Sequence, residues 1–402
     1  MPVYKYSGRT STGAMKKGTI TAPSEKAAIQ KLRQSGINPR QIEESKSILH
    51  TELNISRKVK HEDFIVFCRQ FSTLIRAGVA LVESLHILAV QTNSKILSTT
   101  LMAIEEDVRA GTSFSSAAAK RDKVFPPLFT NMMRVGEATG NIDATLERLA
   151  VHYEKQHKLR KSIQSTLMYP AVLLVVIAIV AIGLMVTIVP SFAEMYEDFG
   201  AELPFITTFI LGISEVMQTL WWVILLVFIV AIIGFQFLFK SNPQFKYSVY
   251  YFMLKMPVFG SLLQKSAIAQ MTRTLASLFS SSVPILQALG IVENVVQNPI
   301  IRDVVNEAKV DLERGKSLAG PFEKSWVFPP LVTHMMTIGE QTGSLDYMLE
   351  KVADFYEEDV DRTVETLKSL IEPMMIVLLA GVVGTIVLAI LVPMFSLFEQ
   401  IG

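Results

Sequence analysis

Three long apolar runs constrain this 402-residue chain more than any other feature. The first is "YPAVLLVVIAIVAIGLMVTIVP", Tyr169 to Pro190. The second is "WWVILLVFIVAIIGFQFLF", Trp221 to Phe239. The third is "EPMMIVLLAGVVGTIVLAILVP", Glu372 to Pro393. A helix needs about 20 apolar residues to cross a bilayer, and a soluble protein rarely builds three core helices of that length. The expectation is an all-α integral membrane protein with three transmembrane helices. Composition agrees, since half the residues are hydrophobic and only 19% are charged, below the usual quarter.

The charges around the runs set an orientation. Lys155, Lys158, Arg160 and Lys161 precede the first run, and Lys240, Lys246 and Lys255 follow the second. Between them stand Glu194, Glu197, Asp198, Glu202 and Glu215, with no Lys or Arg. Positive residues stay cytoplasmic. The N-terminal region and residues 240–371 are therefore expected inside, with an acidic loop 191–220 and a tail 396–402 outside. That order makes a multi-pass membrane protein, its N-terminus cytoplasmic and its C-terminus extracytoplasmic. "MPVYKYSGRTSTGAMKKG" has no apolar core of a signal peptide. Behind the edge residue Glu372 the runs hold no ionisable side chain, where ion-moving proteins keep one. A transporter or channel subunit, the alternative function, would need a polar path that the runs lack. The net charge of +1 gives no footing for nucleic acid.

The second feature is a duplication. "FPPLFTNMMRVGEATGNID" from Phe125 returns as "FPPLVTHMMTIGEQTGSLD" from Phe328. At a shift of 203 or 204, residues 64–192 match 267–395. Gly111 falls on Gly315, Tyr169-Pro170 on Glu372-Pro373, and Pro190 on Pro393. Self-similarity over so long a period indicates two domains rather than a solenoid. Apolar residues recur at helical spacing in both copies, most regularly at Leu345, Leu349, Val352, Tyr356, Val360, Val364 and Leu367. Two cytoplasmic helical bundles are expected, at 58–168 and 240–371. Each runs into a span, at 169–190 and 372–395, and the unrepeated span 221–239 returns the chain between them.

Residues 1–57 differ. "YKYSGR" and "KKGTITA" alternate around "TSTGAM", the pattern of a hairpin. "PSEKAAIQKLRQSGINP" carries an N-cap at Ser24 and a stop at Gly36, the pattern of one helix. A small basic α+β domain with a linker is expected there.

Most of the duplicated motif reads as punctuation. Phe-Pro-Pro starts a helix, which is expected to end near Gly136 and, in the second copy, Gly339. Gly140 and Gly343 suit a turn with positive φ. Asn141 and Ser344 are cap residues, and Asp143 and Asp346 fall in the first turn of the next helix, where the macrodipole favours an acid. Pro170, Pro190, Pro373 and Pro393 mark the ends of the outer spans. Glu137 and Glu340 are not explained by capping alone. With Asp143 and Asp346 they are candidates for binding a partner's basic group, while two carboxylates are too few to specify a metal.

Sites of chemistry are otherwise missing from the pattern. "RGKS" (314–317) ends like a phosphate-binding loop, but Val310 stands where its first glycine is required, and its twin reads "AGTS"; it is read as a helix C-terminus stopped by glycine. The six histidines form no zinc motif, and His152 and His157 are assigned to a solvated basic face. Cys68, the single cysteine, reads as a buried packing residue. No enzyme activity and no cofactor are inferred. The helix entering the first span is basic ("EKQHKLRK", 154–161) and its twin acidic ("EEDVDRTV", 357–364). Two solvated faces account for this; so would a pairing of Lys158 and Arg160 with Asp361 between domains or subunits.

Taken together, the duplicated "RQFSTLIRAGV" and "GExTG", Tyr169-Pro170 with Pro190, "DFYEEDVDRTVETLKSLIEP" and the N-terminal "YKYSGR…GAMKKGTI" resemble the inner-membrane platform proteins of type IV pilus and type II secretion machines. The resemblance covers nearly the whole chain, with Ser282 in place of a glycine and Glu372 in place of a tyrosine as departures. It implies a non-enzymatic, oligomeric assembly protein in membrane lipid. Its implied partners are a cytoplasmic hexameric ATPase, pilin or pseudopilin subunits and other inner-membrane assembly proteins. The full N-terminal element leans towards a pilus.

Overall fold

The computed structural model describes residues 3–10, 15–21, 25–34, 37–44, 59–198, 205–257 and 259–401. These fall into two compact units, Met1–Lys58 and Val59–Gly402.

The first unit holds β1 (Val3–Thr10), β2 (Met15–Thr21), α1 (Glu25–Gln34) and β3 (Ile37–Glu44). The strands form an antiparallel sheet in the order β2-β1-β3. Tyr4 and Tyr6, two apart, share a face. There Tyr4 meets Ala28, and Tyr6 meets Leu32 and Ile37. The third strand was not anticipated, because Pro39 and weak alternation hide it. Ser24, Gly36, the hairpin turn and the linker lie outside the described residues.

The second unit is helical. Its first copy comprises α2 (His61–Arg76), α3 (Leu81–Gln91), α4 (Lys95–Arg109), α5 (Phe114–Ala119), α6 (Pro127–Thr139) and α7 (Ile142–Asp198). Then come α8 (Phe205–Ser241) and α9 (Pro243–Lys255). The second copy follows as α10 (Phe259–Ser280), α11 (Ile285–Val295), α12 (Pro299–Glu313), α13 (Gly320–Lys324), α14 (Pro330–Thr342) and α15 (Leu345–Ile401). Helix for helix, α10–α15 repeat α2–α7. One continuous apolar core joins the copies. Phe64, Phe67, Phe71, Phe114, Phe125 and Phe129 fill its first half, and each fully buried ring contributes about 1.5–3 kcal/mol. Cys68 is fully buried among them. Burial pushes its thiol pKa up, as a packing role requires.

The motif's glycines divide their work differently from the expectation. Gly136 and Gly339 do not end their helices; they lie buried inside α6 and α14. A Cβ on Gly136 would come within 2.6 Å of Thr145 Oγ1, and one on Gly339 within 3.0 Å of Leu345 Cα. They are glycine so that each helix can touch the start of the next. The stop is Gly140 and Gly343, in the left-handed region at φ 74° and 71°. "RGKS" caps and leaves α12, with Arg314 as its C-cap, Gly315 at φ 75° and the Lys316 N–H donating to the Asp311 carbonyl at 2.9 Å.

The long helices also depart from the expected boundaries. α7 and α15 each run for 57 residues without interruption, so bundle and apolar run are one helix, with Pro170 and Pro190 inside α7. The expected loop 191–220 is largely helical: α7 continues to Asp198 and α8 begins at Phe205. Tertiary contacts explain the extension of α8. Ile210 packs with Ile386, Leu184 and Met185, and the Ser214 hydroxyl donates to the Met185 carbonyl at 2.7 Å. Three helices are long and apolar enough to cross a membrane, over Ile142–Ile188, Thr208–Ser241 and Leu345–Leu388.

Candidate functional site

Glu137 and Glu340 are held inside the chain. Glu137 Oε1 accepts the Phe114 N–H at 2.7 Å and its Oε2 accepts the Ser115 N–H at 3.0 Å. In the second copy Glu340 Oε1 accepts the Leu318 N–H at 2.8 Å, and Oε2 accepts the Ser317 hydroxyl at 2.7 Å. The first turn of a helix exposes N–H groups without intrahelical partners. Each glutamate supplies acceptors for those groups at or just before the short helix, α5 or α13, that its own helix packs on. Both carboxylates cap, and the capped turn lies 23 and 22 residues upstream, beyond the reach of a local capping rule. Asp143 is exposed at the start of α7; Asp346 is half-buried in a shallow groove with Glu340, Phe279 and Val283. Neither makes an ion pair among the described residues. No group of three or more potential metal ligands converges there either.

A second pair of twin sites ties α2 to α7 and α10 to α15. Arg69 Nη1 donates to both oxygens of Glu147 at 2.9 Å, and its Nε to Glu154 Oε1 at 2.6 Å. Ser72 Oγ adds a bond to Glu147 at 2.9 Å. Burial raises the Glu147 pKa, but the bonds from Arg69 and Ser72 outweigh it and hold the carboxyl below its usual range. The twin is Arg273, whose Nε donates to Glu357 Oε1 at 2.7 Å, with Glu350 4.0 Å away. One arginine thus clasps two glutamates a heptad apart, in both copies.

The second clasp carries more than the first. Its arginine also pairs with Asp354, and Lys155 of the first copy reaches into the same cluster, 2.6 Å from Asp354 and 3.4 Å from Glu357. Burial pushes the Asp354 pKa up, while Lys155 and Arg273 pull it below the usual carboxylate range. Further along, Lys158 Nζ lies 3.7 Å from Asp361 Oδ2, and Ser162 Oγ donates to Asp361 Oδ1 at 3.0 Å. Arg160 does not join this seam; its charge acts on His61 instead. The structure therefore brings Lys158 to Asp361 within one chain, and adds Lys155, Asp354, Glu357 and Arg273, which the charge pattern alone did not single out.

His152 corrects an expectation. It is not on a solvated face but 2% exposed between the copies, with Nδ1 3.2 Å from Ser277 Oγ. Burial, and then the positive charge of Arg273, lower its pKa to about 4, so it is neutral near pH 7. A Ser–His contact would suggest nucleophilic chemistry in an open cleft. Here the adjoining cavity is about 10 Å³, which is space for about one water and none for a substrate. The seam is built to hold two bundles together. His157, by contrast, is partly exposed and lies 3.8 Å from Glu62.

Comparison with known proteins follows the same lines. The model of the type II secretion system protein F family matches twice, at residues 67–190 and 271–393, over the two copies. That of the family's N-terminal domain matches residues 1–43. The chain is 37% identical over 406 residues to the type IV pilus assembly protein PilC of Thermus thermophilus, covering 100% of each. It is 35% identical over 373 residues to the protein of that name in Pseudomonas aeruginosa, covering 92% of this chain and 98% of that one. With the type II secretion system protein F of Pseudomonas aeruginosa it shares 30% over 406 residues, again covering 100% of each.

Proposed function

Because the chain belongs to the type II secretion system protein F family, we propose that it is the inner-membrane platform of a type IV pilus or a related pseudopilus. The carrying observation is that the family match falls separately on each copy, 67–190 and 271–393, within a similarity that spans the whole chain. The three long helices would be the spans. Their apolar side chains, such as Leu174, Phe228 and Val377, stand exposed, as lipid contact requires. On this reading the N-terminus and both bundles are cytoplasmic and the C-terminus lies outside.

The platform would be non-enzymatic and oligomeric. Its bundles would receive conformational work from a hexameric ATPase, and its spans would meet the apolar helices of pilin-like subunits and other inner-membrane assembly proteins. The seam supports this reading, since Lys155, Arg273 and Asp354 couple the bundles through helices that continue into the spans. Relatives named for pilus assembly reach 37% identity and those named for type II secretion 31%, which favours the pilus. Affinity purification of the full chain from membranes should capture a P-loop ATPase and pilin-like subunits, and deletion should abolish filaments. Filaments that persist after deletion, or solute movement by the isolated protein in vesicles, would overturn the reading.

A further inference from the structure

We propose that α9, together with Trp326, is a rest for anionic lipid headgroups on the cytoplasmic surface of the membrane. The proposal rests on the membrane reading above.

α9 is built to turn off the end of a span. Asn242 caps it, accepting the Gln244 N–H at 3.0 Å and the Phe245 N–H at 3.2 Å, and Pro243 occupies its first turn. Aromatic contacts fold it back against α8: Phe245 lies 5.7 Å from Phe235, and Tyr250 lies 5.9 Å from Phe239, between ring centroids. α9 therefore lies beside the last turns of an apolar helix rather than extending away from it.

Its outer face is aromatic and cationic. Phe252 is 68% exposed and Trp326 51%, beside exposed Tyr247, Tyr251 and Met256. Tyr251 meets Trp326 edge to face at 5.7 Å. Lys255 Nζ sits 4.6 Å from the Tyr251 ring and 5.7 Å from that of Trp326; Lys246, half-buried on the opposite side of the helix, sits 5.9 Å from Phe239 of α8. Among the described residues neither lysine has a carboxylate partner, and residues 216–292 contain no Asp or Glu at all. Lysines held over rings with their N–H donors unclaimed suit phosphate oxygens, and Trp and Tyr favour the headgroup level.

Depth agrees. The N-terminal part of α10, which follows α9, packs Leu262 against Val364 and Leu367 of α15, and Gln264 Nε2 donates to the Val327 carbonyl beside Trp326 at 2.5 Å. Leu367 precedes the third apolar run at Glu372 by five residues, which is about 8 Å along a helix. The position matching Trp326 in the first copy is Lys123.

The test uses the full chain with Trp221→Phe and Trp222→Phe, which leaves Trp326 as its single tryptophan. The protein is reconstituted into phosphatidylcholine vesicles, with or without phosphatidylglycerol, either lipid brominated high on its acyl chains. Trp326 emission should be quenched, more strongly by brominated phosphatidylglycerol. Lys246→Gln with Lys255→Gln should abolish that preference. The companion Trp326→Phe chain, read with deeply brominated lipid, reports insertion through Trp221 and Trp222. If those two are quenched while Trp326 is not and stays open to aqueous acrylamide, the headgroup proposal is overturned and the face is left to a soluble partner. A phosphatidylglycerol preference that survives both lysine changes overturns it too. If Trp221 and Trp222 are also unquenched, the membrane reading fails first and the headgroup site with it.

Discussion

Lys158 and Asp361 hold equivalent positions in the two copies and lie 3.7 Å apart. A residue facing its own twin means that α7 and α15 run side by side at matched levels. The duplication has also changed the sign of the charge at that level, so one copy attracts the other where identical copies would repel.

The pair is too exposed to hold the copies alone. The Lys158 side chain is 79% exposed, and such pairs contribute about 0–1 kcal/mol. Lys155, between Asp354 and Glu357, is better placed. Lys158→Glu should therefore leave hydrogen-exchange protection across residues 270–280 nearly unchanged. Lys155→Glu should reduce it, because it sets a carboxylate against Asp354 and Glu357. Parental protection in Lys155→Glu would show that the seam does not hold the bundles.

Removing a capping carboxylate strands two backbone donors. Glu137→Ala should cost about 1.5–3 kcal/mol, the range for bonds to a charged group, and Glu340→Ala a similar amount. Proteolysis should rise around 114–119 in the first variant and 317–324 in the second, with Glu137→Gln intermediate. An unchanged melting temperature and protease pattern in Glu137→Ala, together with loss of a captured partner, would return the glutamate to partner binding.

The sequence made the duplication, the helical character of both copies and the three apolar runs legible, because those signals are periodic and local. It was blind to contacts closed over distance. The donors that Glu137 satisfies lie on another helix. His152 reads as one more basic residue in a charged stretch, and only the arrival of α10, 125 residues later, buries it. α8 begins well before its most apolar stretch, because Ile210 and Ser214 find partners on α7 and α15 that hydropathy does not register. Arg69 and Arg273 could have been found from the repeat, since they align with each other and so do the glutamates they hold.

Ser282 stands where the first copy has Gly78, and both adopt positive φ, 58° and 83°. That conformation costs a residue with a Cβ about 1–2 kcal/mol. Ser282→Gly should raise the melting temperature of the purified protein, and Gly78→Ser should lower it. A Ser282→Gly chain that melts at or below the parent would mean that the serine side chain offsets the strain.

Stability should fall in mild acid. A histidine with an ordinary pKa of 6.5 that is lowered to about 4 in the folded protein binds fewer protons folded than unfolded between those values. Its contribution is therefore full above pH 6.5 and is lost as pH falls towards 4, at about 1.4 kcal/mol per unit of difference. His61, lowered by burial, Arg160 and His157, acts in the same direction. His152→Gln should flatten the decline of melting temperature between pH 6.5 and 4. An unchanged slope would mean that water reaches the ring.

α7 and α15 pass from bundle to apolar run without a break, 57 residues each, or about 85 Å of helix. A rod of that length is a lever. Tilted by about 5° around its middle, it carries each tip through roughly 4 Å, and its two ends move in opposite senses. Work delivered at Gly140 or Gly343 would thus arrive at the far end of the apolar run as displacement, with no messenger between.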